Sequence, residues 1–93
     1  MTKLPIAVVG AGLIGKTHID RALKDSSVDL IAIADPTPAA AALARSIGVP
    51  YFRDYRTLLG EAKPKGVVVA TPNAAHAQIT VECLERGAAV LVE

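Results

Sequence analysis

The sequence predicts an α/β fold built on a doubly wound parallel sheet, and three observations carry that reading. Short unbroken apolar runs recur at Ile6–Val9, Leu30–Ala34, Val67–Ala70 and Ala89–Val92, the texture of strands buried on both faces. Longer segments with helical spacing separate them, which makes successive strands parallel with right-handed crossovers. Only three aromatic residues occur (Tyr51, Phe52, Tyr55). The core must therefore be Val, Ile, Leu and Ala, small enough for helices to sit close on a sheet.

The elements follow in order. Strand Ile6–Val9 runs into Gly10. The first helix starts near Leu13, lines one face with His18, Ile19, Ala22 and Leu23, and ends at the Asp25-Ser26-Ser27 turn. Past the second strand, Thr37 is the expected N-cap and Pro38 the first helical residue. The inner face of that helix is Ala40, Leu43, Ala44 and Ile47, and Gly48 closes it. Tyr51-Phe52 is a candidate short third strand, and Asp54 can cap a short helix ending at Gly60. The last helix runs from about Ala74 to Arg86, burying Ile79, Cys83 and Leu84, with Gly87 as its stop. The expected strand order is 3-2-1-4-5.

The 93 residues suffice for one core and not for two domains. No repeat, low-complexity segment or linker interrupts them. Because the sequence stops at Glu93 on a predicted strand, it reads as an incomplete domain cut from a longer protein. Hydrophobic residues at 52% and charged residues at 20% are ordinary for a globular domain of the soluble kind. The net charge of +1, with basic residues scattered and only Lys63 and Lys65 close together, argues against a nucleic-acid platform. Cys83 is the single cysteine, which excludes an internal disulfide and a cysteine-rich metal site and fits a reducing cytoplasm. Leu4–Gly15 is uncharged like a signal-peptide core, but three glycines interrupt it. No segment is long and apolar enough to span a bilayer.

Gly10-Ala11-Gly12-Leu13-Ile14-Gly15 matches G-x-G-x-x-G. The pattern alone is weak among seven glycines. Its position, after a buried strand and at the head of an amphipathic helix, makes it a Rossmann-type dinucleotide signature. Gly10 permits the tight turn, Gly12 lets the backbone approach a pyrophosphate, and Gly15 lets the helix pack closely. Unpaired amides at the helix start, around Leu13 and Ile14, then bind phosphate with help from the helix dipole. Asp35 ends the second strand twenty positions after Gly15, where an acidic residue accepts hydrogen bonds from the adenosine ribose. A carboxylate there repels a 2′-phosphate, and Pro36 and Thr37 supply no arginine to attract one. NAD is therefore expected rather than NADP.

A second loop, Thr71-Pro72-Asn73-Ala74-Ala75-His76, follows the strand ending at Ala70. With order 3-2-1-4-5 it flanks the crevice opposite the glycine turn, where open parallel sheets bind ligands. Thr71 and Asn73 offer polar groups towards the middle of the cofactor.

On these motifs the chain resembles the N-terminal domain of the glucose–fructose oxidoreductase / inositol dehydrogenase family. The landmarks span essentially all of the chain. They are the glycine motif with His18, Ala34-Asp35-Pro36, Asp54-Tyr55 before Leu58-Leu59, Ala70-Thr71-Pro72-Asn73 with His76, and a strand ending in Glu93. The resemblance implies that the Thr-Pro-Asn loop lies near the nicotinamide ribose and that Glu93 opens a Glu-Lys-Pro motif. It further implies that the Lys, with Asp and His residues of a second α/β domain, handles the substrate proton. None of those positions occurs here, so no catalytic residue is assigned and the fragment alone is expected to be inactive. The parent is expected to be a homo-oligomer moving hydride to or from a secondary alcohol of a sugar, inositol or similar polyol. A dinucleotide-sensing regulator, or the front end of another dehydrogenase or reductase class, would share this front end. Ala88-Ala89 departs from the Lys-His that many members carry.

Other residues have plain readings. His18 is expected to be a packed, hydrogen-bonded histidine, and His76, nearer the crevice, shapes the nicotinamide end. Two histidines without partners at ligand spacing make no metal site. Cys83 reads as an inert core thiol. Glu82, Glu85 and Arg86 read as a solvated outer face.

Overall fold

The computed structural model describes residues 3–92, the side chain of Asn73 excepted. Five strands, β1 (Leu4–Val9), β2 (Val28–Ala34), β3 (Tyr51–Phe52), β4 (Gly66–Val69) and β5 (Ala89–Val92), alternate with four helices. These are α1 (Leu13–Lys24), α2 (Pro38–Ile47), α3 (Tyr55–Ala62) and α4 (Asn73–Glu85). Every strand pair is parallel, and the order is β3-β2-β1-β4-β5, as the sequence predicts. The chain winds outward from β1 through β2 to β3, then crosses to β4 and winds the other way. Right-handed crossovers therefore put α1 and α2 on one face and α3 and α4 on the other.

Each face has its own core. Val8, Ile33, Ile19, Ala22, Ala40 and Ala44 pack on the first, and Val9, Val67, Val69, Leu58, Ile79 and Cys83 on the second. The alanines let α1 and α2 approach the sheet closely. In β2 the side chains do not alternate strictly. Leu30 and Ile33 face the first core, whereas Ile31 and Ala32 both pack with the second. The cause is a register shift opposite Ile6/Ala7, where β2 carries one extra residue.

Helix ends follow local chemistry. The Thr37 hydroxyl accepts a hydrogen bond from the Ala40 amide at 3.3 Å, and the Asp54 carboxylate accepts one from the Arg56 amide at 2.8 Å. Gly48 ends α2 in the left-handed region at φ 74°. Several expectations need correction. The short helix does not stop at Gly60; it continues to Ala62 and ends at Lys63, because Pro64 follows and disfavours helical backbone before it. Leu23 and Leu84 are 49% and 57% exposed rather than buried. Each lies one position beyond a buried residue, Ala22 or Cys83, and so is rotated about 100° away from it around the helix. Strand β4 also begins and ends one residue earlier than read, and α4 begins at Asn73, leaving Ala70-Thr71-Pro72 as the whole connection.

Candidate functional site

β1 and β4 are neighbours at the centre of the sheet, where the strand order reverses. Beyond the carboxyl ends of the strands lies a groove of about 1240 Å³, larger than the roughly 300–1,000 Å³ of pockets for drug-sized ligands. Of the residues singled out in the sequence, Gly10, Gly12, Leu13, Ile14, Asp35, Thr71 and Pro72 line this one groove. Gly15 lies beneath it. His76 is half-buried one position past the groove-lining Ala75. Glu93 and the side chain of Asn73 lie outside the described residues.

The three glycines have three different reasons. Gly10 has φ +98°, and a Cβ there would stand 2.7 Å from the Ala70 carbonyl carbon and oxygen. A Cβ on Gly15 would stand 1.9 Å from the Gly10 carbonyl oxygen. The close approach that requires Gly15 is thus between α1 and the turn itself, more specific than packing on the sheet. Gly12 is different: its φ of −74° suits any residue, and a Cβ there meets nothing within 4 Å. No protein contact requires a glycine at 12. The space its missing side chain leaves open faces the groove. Gly12 is also the N-cap of α1 and supplies no side chain to its amides, so the first-turn N–H groups remain free for an anion.

Asp35 is tied from every side. Its amide donates to the Phe52 carbonyl at 3.1 Å, and its carbonyl accepts from the Tyr51 hydroxyl at 2.7 Å. Its Oδ2 accepts from the Ala11 amide at 2.8 Å. Its Oδ1 accepts from the Thr37 amide at 2.9 Å and the Thr37 hydroxyl at 2.6 Å. Burial opposes the charge, but the Thr37 hydroxyl and the Ala11 and Thr37 amides outweigh it and hold the carboxyl below its ordinary range. Asp35 is therefore an anion that also fastens the glycine turn to β2, a role its position in the sequence does not disclose.

On the β4 side, the Thr71 hydroxyl oxygen is buried without a hydrogen-bond partner, as are His76 Nε2 and Thr80 Oγ1 further along α4. Buried polar atoms of this kind are uncommon, and Thr71 lines the groove. A ligand hydroxyl or amide crossing from the glycine turn would give it a partner.

Sequence reasoning missed one wall. Arg53 from the β3–α3 connection, and Tyr55 and Arg56 from the start of α3, reach the groove, so an arginine does stand on the Asp35 side, though not at 36 or 37. Behind it, Glu82 is half-buried rather than part of a solvated face. It accepts from the Tyr55 hydroxyl and, at 2.9 Å, from Arg56 Nε. The Arg56 guanidinium also lies 5.1 Å from the Tyr55 ring centre. Burial, then Glu82, pushes the Tyr55 hydroxyl up to about 12. The bracket joins α3 to α4 across 27 residues, a pairing no local pattern signals. Burial, with the Glu82 charge adding to it, likewise raises the Cys83 thiol, in keeping with an unreactive core residue.

The groove, its open Gly12 cradle and the anionic Asp35 have the form of a dinucleotide site. The family model that matches the chain, over residues 4–93, is described as an oxidoreductase family with an NAD-binding Rossmann fold. The chain belongs to that family. It is similar to the rhizopine catabolism protein MocA of Rhizobium meliloti, with 29% identity over all of this chain and 29% of that protein. It is also similar to the inositol 2-dehydrogenase of Rubrobacter xylanophilus, with 31% identity over 98% of this chain and 27% of that one. Among solved structures, GenD2 from gentamicin A biosynthesis in complex with NAD superposes with a TM-score of 0.91. It is 32% identical and the match covers 99% of this chain and 27% of that one. The scyllo-inositol dehydrogenase of Lactobacillus casei, with bound NAD(H) and scyllo-inositol, also gives a TM-score of 0.91, at 26% identity over 98% of this chain and 28% of that one. The chain thus spans between a quarter and a third of the length of these relatives, and corresponds to the NAD-binding domain of an oxidoreductase.

Proposed function

We propose that this chain binds NAD along the groove as the nucleotide-binding part of a dehydrogenase acting on a secondary alcohol of a sugar, inositol or similar polyol. The observation that carries the reading is Gly12. Neither backbone conformation nor any neighbouring protein atom calls for a glycine there, whereas a pyrophosphate drawn to the first-turn amides of Leu13, Ile14 and Gly15 does. Asp35 receives the adenosine ribose, and its negative charge favours NAD over NADP. Thr71 meets the nicotinamide half, with Pro72 stiffening the loop and Asn73, His76 and Glu93 completing that end.

When bound, the nicotinamide supplies the hydride chemistry. The residues of this chain bind and orient it. By the family resemblance, the groups that move the substrate proton are the Lys of the Glu-Lys-Pro motif and the Asp and His residues of a second α/β domain. These 93 residues alone are therefore expected to turn over no polyol. The inositol dehydrogenases among the relatives support the substrate class. Calorimetric titration with NAD and with NADP tests the reading. Saturable NAD binding, tighter than NADP binding, is expected. No binding of either, or tighter NADP binding, would overturn it.

A further inference from the structure

The hydrogen bonds around Asp35 say more than that it is an anion. A carboxylate has about four acceptor positions, two on each oxygen. Both positions on Oδ1 are taken by Thr37, through its amide at 2.9 Å and its hydroxyl at 2.6 Å. On Oδ2 one position is taken by the Ala11 amide at 2.8 Å. A single acceptor position therefore remains, on Oδ2. A ribose diol gripping the carboxylate with one hydroxyl on each oxygen would have to displace Thr37.

The Thr37 hydroxyl is itself fixed. It donates its only proton to Asp35 Oδ1 and accepts from the Ala40 amide at the start of α2. Thr37 and Asp35 both line the groove. The backbone of Asp35 is held at the same time by Phe52 and Tyr51, and the three bonds to its oxygens hold the carboxylate in one orientation. We infer that Thr37 is a positioning residue for cofactor choice: by occupying Oδ1 it aims the one open position on Asp35 Oδ2 at a single ribose hydroxyl. A hydroxyl donates to that position, whereas a 2′-phosphate, an acceptor with no proton to give, meets a fixed negative charge that cannot rotate away. Without the Thr37 hydroxyl the carboxylate keeps only its bonds to the amides of residues 37 and 11 and can rock about them, losing aim at the ribose hydroxyl and relaxing its exclusion of the phosphate.

This inference rests on the NAD reading above, and the experiment separates the two. Calorimetry with NAD and NADP is run on the unmodified chain and on Thr37→Val, Thr37→Ser and Thr37→Gly, each with its melting temperature. Thr37→Gly removes the hydroxyl yet keeps a residue tolerated at an N-cap, which guards against a Val variant that fails to fold. The expected result is that Thr37→Ser keeps the parent preference for NAD. Thr37→Val and Thr37→Gly should bind NAD about 10-fold more weakly or worse, in line with the loss of one hydrogen bond to a charged group, while NADP loses less, so that the preference narrows. A merely structural Thr37 would lower the melting temperature and weaken both cofactors alike. An unchanged preference in a folded Val or Gly variant overturns the inference and leaves NAD binding standing, whereas an unmodified chain that binds neither cofactor defeats the NAD reading itself.

Discussion

Two alanine substitutions in the same motif should separate folding from binding. A Cβ on Gly15 stands 1.9 Å from the Gly10 carbonyl oxygen, and real Cβ contacts essentially never fall below 3.0 Å. Helix α1 must therefore retreat by at least about 1.1 Å, the difference of the two, and its neighbour is rigid backbone rather than a side chain that can swing. Overpacking of this kind costs about 1–3 kcal/mol. At about 4–8 °C per kcal/mol for a domain of this size, the melting temperature of Gly15→Ala should fall by about 4–24 °C. A Cβ on Gly12 meets nothing within 4 Å, so Gly12→Ala should cost no more than about 1 kcal/mol through a weaker N-cap. Its methyl group instead occupies the space read as the pyrophosphate cradle. Loss of one charge-assisted hydrogen bond, about 1.5–3 kcal/mol, weakens binding by about 10- to 150-fold. Thermal melting and NAD calorimetry on both variants give the readout. The reasoning fails if Gly12→Ala binds NAD as the parent does, or if Gly15→Ala melts at the parent temperature.

Two further outcomes follow from charge. Because the folded pKa of Asp35 lies below its ordinary 3.8, ionised Asp35 stabilises the fold above about pH 4, and that stability is lost as pH falls through the folded value. Urea midpoints measured from about pH 6 down to about pH 2.5 should show an acid decline that Asp35→Asn makes shallower, with the part due to Asp25, also lowered by its bonds to Ser27, persisting; an identical decline in the variant would contradict the assignment. Glu82→Gln should bring Tyr55 ionisation down from about 12 but not fully to 10.0, since burial is the larger cause, and ultraviolet absorbance titration would refute the bracket if the high-pH transition did not move.

Most of the architecture was legible because it follows from local chemistry. The apolar runs, the Thr37-Pro38 start of α2 and the Gly48 stop are each decided by a few adjacent residues. What escaped depends on partners distant in sequence. Leu23 and Leu84 sit at the margins of their helical stripes, and periodicity alone cannot say how wide a stripe the neighbours cover. Glu82 looked solvated until α3 brought Tyr55 and Arg56 against it. Arg53 reached the groove just past a strand of two residues, too short to carry a pattern. The glycine motif located the site, but the reason for each glycine differed. Two are required by the protein's own backbone and one by nothing in the protein, a distinction that exists only in the folded chain. Asp35 likewise stood out as an acid in the right place, while its bond to Ala11, 24 positions away, could not be read from the sequence.

The central claim is that a dinucleotide lies along the groove from Asp35 across the glycine turn to Thr71. Titration of the isotopically labelled chain with NAD, followed through its backbone amide resonances, tests this most directly. The account predicts saturable shifts concentrated at Ala11–Gly15, Asp35–Thr37 and Thr71, with the far ends of α2 and α4 unmoved. Shifts confined to those far ends, or none at all at saturating NAD, would contradict it.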